Sequence, residues 1–136
     1  MNMQKTFKFL VMTPEKSFFD DEVTQIIIST PDGEMGIMAD HMPVIAVVTE
    51  SVLRIEKDGE WRNAAVGQGF LEMTSDVVEV FVDSAEWAEE IDLQRSETAL
   101  HRAEDRLRGK LTHVEYIRTH AAIARATARL SAAKGK

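Results

Sequence analysis

The sequence contains no cysteine, only three prolines, and few aromatic residues, which form 7% of its 136 positions. Without cysteine the chain makes no disulfide, performs no thiol chemistry and builds no Cys-ligated zinc site. It also lacks any apolar run close to the roughly 20 residues that a transmembrane helix requires. The apolar stretch Phe9–Met12 is too short for the core of a signal peptide, so we expect the chain to stay in the compartment in which it is made.

Sequence motifs for catalysis are also missing. The chain has no Gly-rich phosphate loop, no HExxH metal motif and no nucleophile elbow. No carboxylate pair completes a metal site with any of the four histidines, His41, His101, His113 and His120. We therefore expect a protein that is not an enzyme, requires no cofactor and holds no metal ion.

Positive charge is scarce in the first two thirds of the chain. Residues 1–88 carry 6 Lys and Arg against 16 Asp and Glu, a net charge of −10; residues 89–136 carry 10 against 7, a net charge of +3, which gives the −7 of the whole chain. This division favours two regions with different partners. The basic region could meet nucleic acid, acidic lipid, a nucleotide or an acidic protein surface, or could be a solvated helical face.

The acidic region reads as a series of short strands. An Asp-Gly pair, Asp58-Gly59, predicts a hairpin turn between two of them, whereas Pro31–Ile45 is too broken for a helix and too apolar for a solvated loop. Strands that are short and closely spaced indicate an antiparallel sandwich or barrel. The predicted strands are Lys5–Met12, Phe18–Asp21, Val23–Thr30, Val44–Val48, Val52–Glu56, Trp61–Val66, Gly69–Thr74 and Val77–Val82.

The basic region reads as two helices. The first runs over about 92–108, with Asp92 as its N-cap and Gly109 as its stop signal; the second runs over about 113–130, with a capping box from Thr112 to Glu115. Two helices joined by so few residues form an antiparallel hairpin. Their apolar stripes are narrow and alanine-rich, so we expect weak docking. The fold class is therefore α+β: an N-terminal antiparallel β-sandwich, residues 1–86, followed by a C-terminal two-helix hairpin, residues 87–136.

Several segments carry a family resemblance, in the order VMTPEKSFFDDEV, PDGEMGIMADHMPVI, GQGFLEM and AEWAEEIDLQRSETALHRAEDRL. With them the chain resembles, over nearly its whole length, the epsilon subunit of the bacterial F-type ATP synthase. Ala39, Val44 and Gln68 depart from the proline, leucine and glycine that are usual there. The resemblance implies a non-catalytic central-stalk subunit that joins gamma to the c-ring. It further implies a peripheral location on the cytoplasmic face of the bacterial plasma membrane, reached only through the complex, and no contact with nucleic acid.

The resemblance also assigns the broken segment to subunit contacts. It implies that Glu34 meets the polar loops of the c-ring and that His41, Met42, Pro43 and Val44 lie against gamma. Flexible methionine side chains suit an adaptable contact surface. The alternative is structural: prolines and glycines shape a turn while methionines fill the core.

For the hairpin, the resemblance implies regulation. The family's hairpin inhibits ATP hydrolysis when it extends along gamma into the alpha/beta catalytic head, and some members bind ATP when it is folded down. Ser96 stands where the ATP-binding motif has alanine. The residues that match the family's ATP contacts are Glu86, Ile91, Asp92, Arg95, Arg102, Arg125 and Arg129.

The arginine spacing agrees with such a role. Arg95 and Arg102 are seven residues apart on one predicted helix, and Arg125 and Arg129 are four apart on the other, so an antiparallel hairpin could bring both pairs to one triphosphate. Ordinary surface arginines are the alternative reading. Two further questions stay open at this point: whether the coupling ion is a proton or sodium, and whether the chain is instead a stand-alone nucleotide-binding sandwich-and-hairpin protein unrelated to the synthase.

Overall fold

The computed structural model describes residues 5–134, in which a β-sandwich is followed by a two-helix hairpin. This arrangement confirms the predicted α+β fold. The strands are β1 Phe7–Met12, β2 Ser17–Val23, β3 Gln25–Thr30, β4 Gly33–Met38, β5 Val44–Val48, β6 Ser51–Lys57, β7 Glu60–Val66, β8 Gly69–Met73, β9 Val77–Val82 and β10 Ala85–Trp87. A 3₁₀ turn, Ala88–Glu90, leads to the helices α1, Leu93–Leu107, and α2, His113–Lys134.

The sandwich consists of two five-stranded sheets, with strand orders β2-β1-β9-β8-β5 and β10-β7-β6-β3-β4. Their pairings are antiparallel except for that of β1 with β9. Alternate residues point inward, and Phe9, Ile28 and Leu71 are completely buried between the sheets. Gly69 permits close approach of β8 and β9, because a Cβ there would collide with the carbonyl group of Phe81.

One strand prediction was wrong, and one strand was not predicted. The apolar run predicted as one strand over Val23–Thr30 is divided at Thr24, where the chain passes from β2 in one sheet to β3 in the other. The broken segment after Pro31 begins with a strand, β4, which pairs with β3 across a tight turn; Gly33 has a φ of 120° there, which favours glycine. The division at Thr24 depends on pairing partners distant in the sequence, since β2 pairs with β1 and β3 pairs with β6. Strand β4 was missed because two of its six residues are glycines, which weaken the local strand pattern.

Local turn and cap signals were predicted correctly. Asp58 and Gly59 have φ values of 53° and 79°, the positive pair that a tight two-residue hairpin turn requires. The Asp92 carboxylate accepts a hydrogen bond of 3.0 Å from the backbone N–H of Arg95. At the start of α2, the backbone N–H of Thr112 donates to the Glu115 carboxylate at 3.1 Å, and the N–H of Glu115 donates to the Thr112 hydroxyl at 3.2 Å.

The hairpin docks on the outer face of the second sheet. Helix α2 lies on β6 and β7, and α1 packs chiefly against α2. Alanines form the centre of this contact: Ala65 of β7, Ala88 of the 3₁₀ turn and the fully buried Ala132 of α2, flanked by Val52 and Ile91. Strand β10 crosses the predicted domain boundary between residues 86 and 87, and that boundary stays a prediction.

Candidate functional site

A cavity of about 570 Å³ lies between the two helices. Its arginines come from both of them, Arg95 and Arg102 from α1 and Arg129 from α2, and Asp92 is the one acidic residue among those that line it. One Asp92 oxygen already accepts the N-cap hydrogen bond of α1. The cavity is therefore net positive and suits a polyanion such as a triphosphate. We call it the arginine cavity; its lining is Asp92, Gln94, Arg95, Thr98, Ala99, Arg102 and Arg129.

The other α2 arginine of the predicted set lies in an adjoining cavity of about 210 Å³. Arg125 lines this second cavity together with Glu86, and Arg129 lines both cavities. The structure thus gathers three of the four predicted arginines around one space and places Arg125 beside it. Arg125 and Arg129 are four residues apart, so their side chains leave α2 about one turn apart, roughly 6 Å along its axis.

An ion pair to the sandwich holds Arg129. Its Nε lies 3.0 Å from Oε1 of Glu86, a residue of β10. This Glu86 oxygen is buried and accepts no hydrogen bond from the described residues, because the nearby N–H is not directed at it. The contact is therefore an electrostatic one that leaves the carboxylate poorly satisfied.

A second ion pair holds Arg125 and was not predicted. Its Nη1 lies 3.8 Å from Oε1 of Glu50, which sits in the turn between β5 and β6. The Glu50 side chain is only 8% exposed, and its Oε2 is buried with no hydrogen-bond partner among residues 5–134. Burial raises the pKa of Glu50; the charge of Arg125 lowers it and that of Asp83 raises it further, with a net upward shift.

Two residues of the ATP-binding motif lie away from the arginine cavity. Ile91 packs against the alanine contact that docks the hairpin. Ser96 is 3% exposed and lies on the buried side of α1, outside the cavity lining, so the hydroxyl that replaces the motif's alanine does not enter the space available to a ligand.

An exposed apolar surface follows strand β5, which forms one edge of the first sheet. Val47 is paired with Phe70 of β8 across the strands, and the Phe70 ring stacks on Phe81 at 5.1 Å between centroids. Solvent-exposed side chains of this size on an edge strand are typical of a surface that a partner covers. We call the surface the apolar edge and define it as Met42, Val44, Ile45, Val47 and Phe70.

The apolar edge includes Met42 and Val44, two of the residues predicted to contact gamma. Met42, Pro43 and Val44 are exposed as that prediction requires. Ile45, Val47 and Phe70 were missed, although the β5 sequence VIAVV, which has no polar residue, carries the signal: an edge strand without polar residues exposes apolar ones.

The two remaining subunit-contact residues differ from each other. Glu34 is exposed at the start of β4 and lines an open space that also contains Glu50 and Arg54. His41 faces inward instead, with its ring edge-on to Phe7 at 5.5 Å. Both His41 ring nitrogens are buried and have no hydrogen-bond partner within the described residues. The side chain of His41 is therefore part of the loop's own packing.

Family comparisons match both parts of the chain. The family described as ATP synthase, Delta/Epsilon chain, beta-sandwich domain, matches residues 6–88, and the one described as ATP synthase, Delta/Epsilon chain, long alpha-helix domain, matches residues 89–134. Sandwich and docked hairpin thus define a protein of the delta/epsilon class.

Individual relatives narrow this class. The chain is 45% identical over 127 residues to the ATP synthase epsilon chain of Ruminiclostridium cellulolyticum, covering 93% of this chain and 95% of the relative. It is 46% identical over 128 residues to the epsilon chain of Caldicellulosiruptor bescii, covering 94% and 93% respectively. The chain belongs to the family of ATP synthase epsilon chains, which are non-catalytic accessory subunits. This membership removes the alternative of a protein unrelated to the synthase.

Solved structures show the same fold. A chain in the mitochondrial ATP synthase of Euglena gracilis superimposes with a TM-score of 0.84 at 23% identity, covering 98% of this chain and 84% of its own. A chain of the Tetrahymena thermophila mitochondrial enzyme does so with a TM-score of 0.67 at 12% identity, covering 97% and 99%. Neither helix within residues 5–134 is long and apolar enough to cross a membrane.

Proposed function

We propose that the chain is a rotor subunit of a bacterial F-type ATP synthase whose hairpin senses ATP. The sandwich joins gamma to the c-ring, and the hairpin is the regulatory arm. With ATP bound, the hairpin stays docked; without ATP, it detaches, extends along gamma to the alpha/beta catalytic head and inhibits ATP hydrolysis. The subunit lies on the cytoplasmic face of the plasma membrane, where the complex holds it.

The arginine cavity is the observation that carries this proposal. Its cationic side chains come from both helices, so a bound triphosphate would hold α1 against α2. Arg129 is also paired with Glu86 of the sandwich, which connects the cavity to the docked position of the hairpin. A ligand that binds only the docked form stabilises that form by mass action, and the chain needs no catalytic group for this purpose.

The apolar edge supports the gamma contact. Ile45 is 73% exposed and Val47 57% exposed on a strand that has no neighbour on its outer side within residues 5–134. Burying such side chains at an interface is favourable by roughly 25 cal/mol per Å² of apolar area. Glu34 lies at the β3–β4 turn, where its exposed carboxylate would be available to polar loops of the c-ring.

Calorimetric titration of the whole chain with ATP, with and without magnesium, tests the ATP site. We expect binding in the micromolar to low-millimolar range, and Arg129→Ala should weaken it by about tenfold or more, because a charge-assisted contact to phosphate is lost. Arg118→Ala is the matched control, since Arg118 is an exposed arginine of the same helix outside the cavity lining. Absence of binding, or equal loss in both variants, would refute the proposed site.

Binding of purified gamma tests the rotor role separately. Ile45→Asp places a charge in the middle of the apolar edge, so we expect it to weaken gamma binding by about tenfold or more. Glu60→Gln, on the opposite sheet, should leave gamma binding unchanged. Failure of the unmodified chain to bind gamma would contradict this part of the proposal.

A further inference from the structure

Glu50 is a buried carboxylate whose charge the fold only partly compensates. Its cationic partner is Arg125 at 3.8 Å, beyond hydrogen-bond distance, and its Oε2 receives no hydrogen bond from the described residues. Replacing both members of a buried ion pair by well-packed neutral groups is often neutral or stabilising, because burial of the charges costs as much as their attraction returns. The Glu50 charge therefore contributes little to the stability of the fold, and its clearest effect is on the position of Arg125.

The position of Arg125 bears directly on the nucleotide site. Arg125 lies one helical turn from Arg129, which lines the arginine cavity, yet Arg125 lines only the adjoining one. A guanidinium with a flexible stem can reach across about one turn of a helix. Glu50 draws this guanidinium toward the β5–β6 turn, on the side away from α1.

We propose that Glu50 is a positioning residue that holds Arg125 against the sandwich, keeps it out of the arginine cavity and so lowers the affinity of the chain for ATP. This inference rests on the proposed function and adds to it a determinant outside the residues that match the family's ATP contacts. The sandwich carboxylate and the triphosphate compete for one guanidinium. ATP binding is then tuned by a residue that touches no nucleotide.

Charged groups from several parts of the fold surround Glu50, and they affect the ionisation of its carboxyl group. The charged groups around it are Arg125 from α2, Asp83 from the turn after β9, and Glu34 and Arg54, which line the same open space. Burial disfavours the ionised form of Glu50, the charge of Arg125 favours it and that of Asp83 disfavours it. Neutralising Glu50 therefore frees Arg125 and also removes a desolvation cost of docking.

The test is a double-mutant cycle of Glu50→Gln with Arg125→Ala, read by ATP titration. The docked fraction is measured in parallel from energy transfer between dyes on Ser75→Cys and Lys134→Cys, which are the sole thiols in a chain without cysteine. Dividing the apparent association constant for ATP by the docked fraction gives the affinity of the docked form alone. We expect Glu50→Gln to raise this affinity by about three- to tenfold. In the Arg125→Ala background it should have no effect, because Glu50 acts through Arg125.

Glu60→Gln is the matched control, since Glu60 is an exposed carboxylate at the start of β7, and it should change neither quantity. Binding that depends on Arg129 but is unchanged or weakened by Glu50→Gln would overturn the role of Glu50 alone. An equal gain with and without Arg125 would also overturn it. Binding absent from the unmodified chain and from Glu50→Gln alike would remove the ATP site itself, and this inference with it.

Discussion

The sandwich and the docked hairpin are held together in different ways. The sandwich buries large side chains such as Phe9 and Leu71 completely, whereas the hairpin docks through Ala65, Ala88 and Ala132. Full burial of a large apolar side chain contributes about 1.5–3 kcal/mol, and a single methyl-sized group contributes about 0.8 kcal/mol. The sandwich should therefore remain folded under conditions in which the hairpin detaches from it.

Charged contacts add to this contrast. The described contacts between α2 and the sandwich include two arginine–carboxylate pairs, Arg125 with Glu50 and Arg129 with Glu86. Each pair leaves a buried carboxylate oxygen without a hydrogen bond. A contact assembled from small apolar groups and incompletely hydrogen-bonded charges is weaker than the sandwich core, so we expect that a ligand which neutralises or recruits those charges can shift the docking equilibrium.

The largest expected effect is in the sandwich core. Leu71→Ala removes a fully buried side chain between the sheets and should lower the free energy of unfolding by about 3 kcal/mol. Urea unfolding followed by circular dichroism measures the change. A loss well below 1 kcal/mol would mean that the core is not the main source of cohesion.

A substitution in the docking contact should have a smaller and more local effect. Ala132→Glu places a charge at a completely buried position, so we expect the hairpin to detach while the sandwich stays folded. Energy transfer between dyes at Ser75→Cys and Lys134→Cys should fall, and the urea midpoint of the sandwich should stay within error. His113→Glu, at an exposed position of α2, is the control. If the sandwich unfolded together with detachment of the hairpin, the two parts would not be independent in stability, which would contradict this prediction.

The docking of the hairpin should also depend on pH, whereas this dependence should not arise from the sandwich core. The pKa of Glu50 is raised in the docked form above its ordinary value of 4.5, chiefly by burial, so the docked form binds the proton more readily. Docking is therefore weakest above the raised pKa and strengthens as pH falls through it toward 4.5. The same energy-transfer measurement should show this trend, and Glu50→Gln should abolish it. Detachment on mild acidification would contradict the assigned direction.

Local features of the fold were predictable from the sequence. The Asp58-Gly59 turn, the Asp92 cap and the capping box of Thr112 with Glu115 each depend on residues within a few positions of one another. Non-local features were not predictable in the same way. The division at Thr24 follows from the pairing of β2 with β1 and of β3 with β6. Strand β4 was missed for a local reason, because two of its six residues are glycines, which weaken the strand pattern.

The candidate site shows the same limit. Helical spacing predicted both arginine pairs around one space, and the arginine cavity contains Arg95, Arg102 and Arg129 of that set but not Arg125. The ion pair between Arg125 and Glu50 joins positions 75 residues apart and depends on how α2 lies on the sheet. The inward orientation of His41 depends likewise on its contact with Phe7 of β1, the first strand of the sandwich.

Hydrogen exchange of the whole chain, with and without saturating ATP, tests the central claim most directly. The account predicts that ATP slows exchange of the α1 and α2 amides by about tenfold or more, as the detached form is depleted, while the slowest amides of β1, β8 and β9 change little. Unchanged exchange in both helices at saturating ATP would contradict it. So would slowing confined to the sandwich.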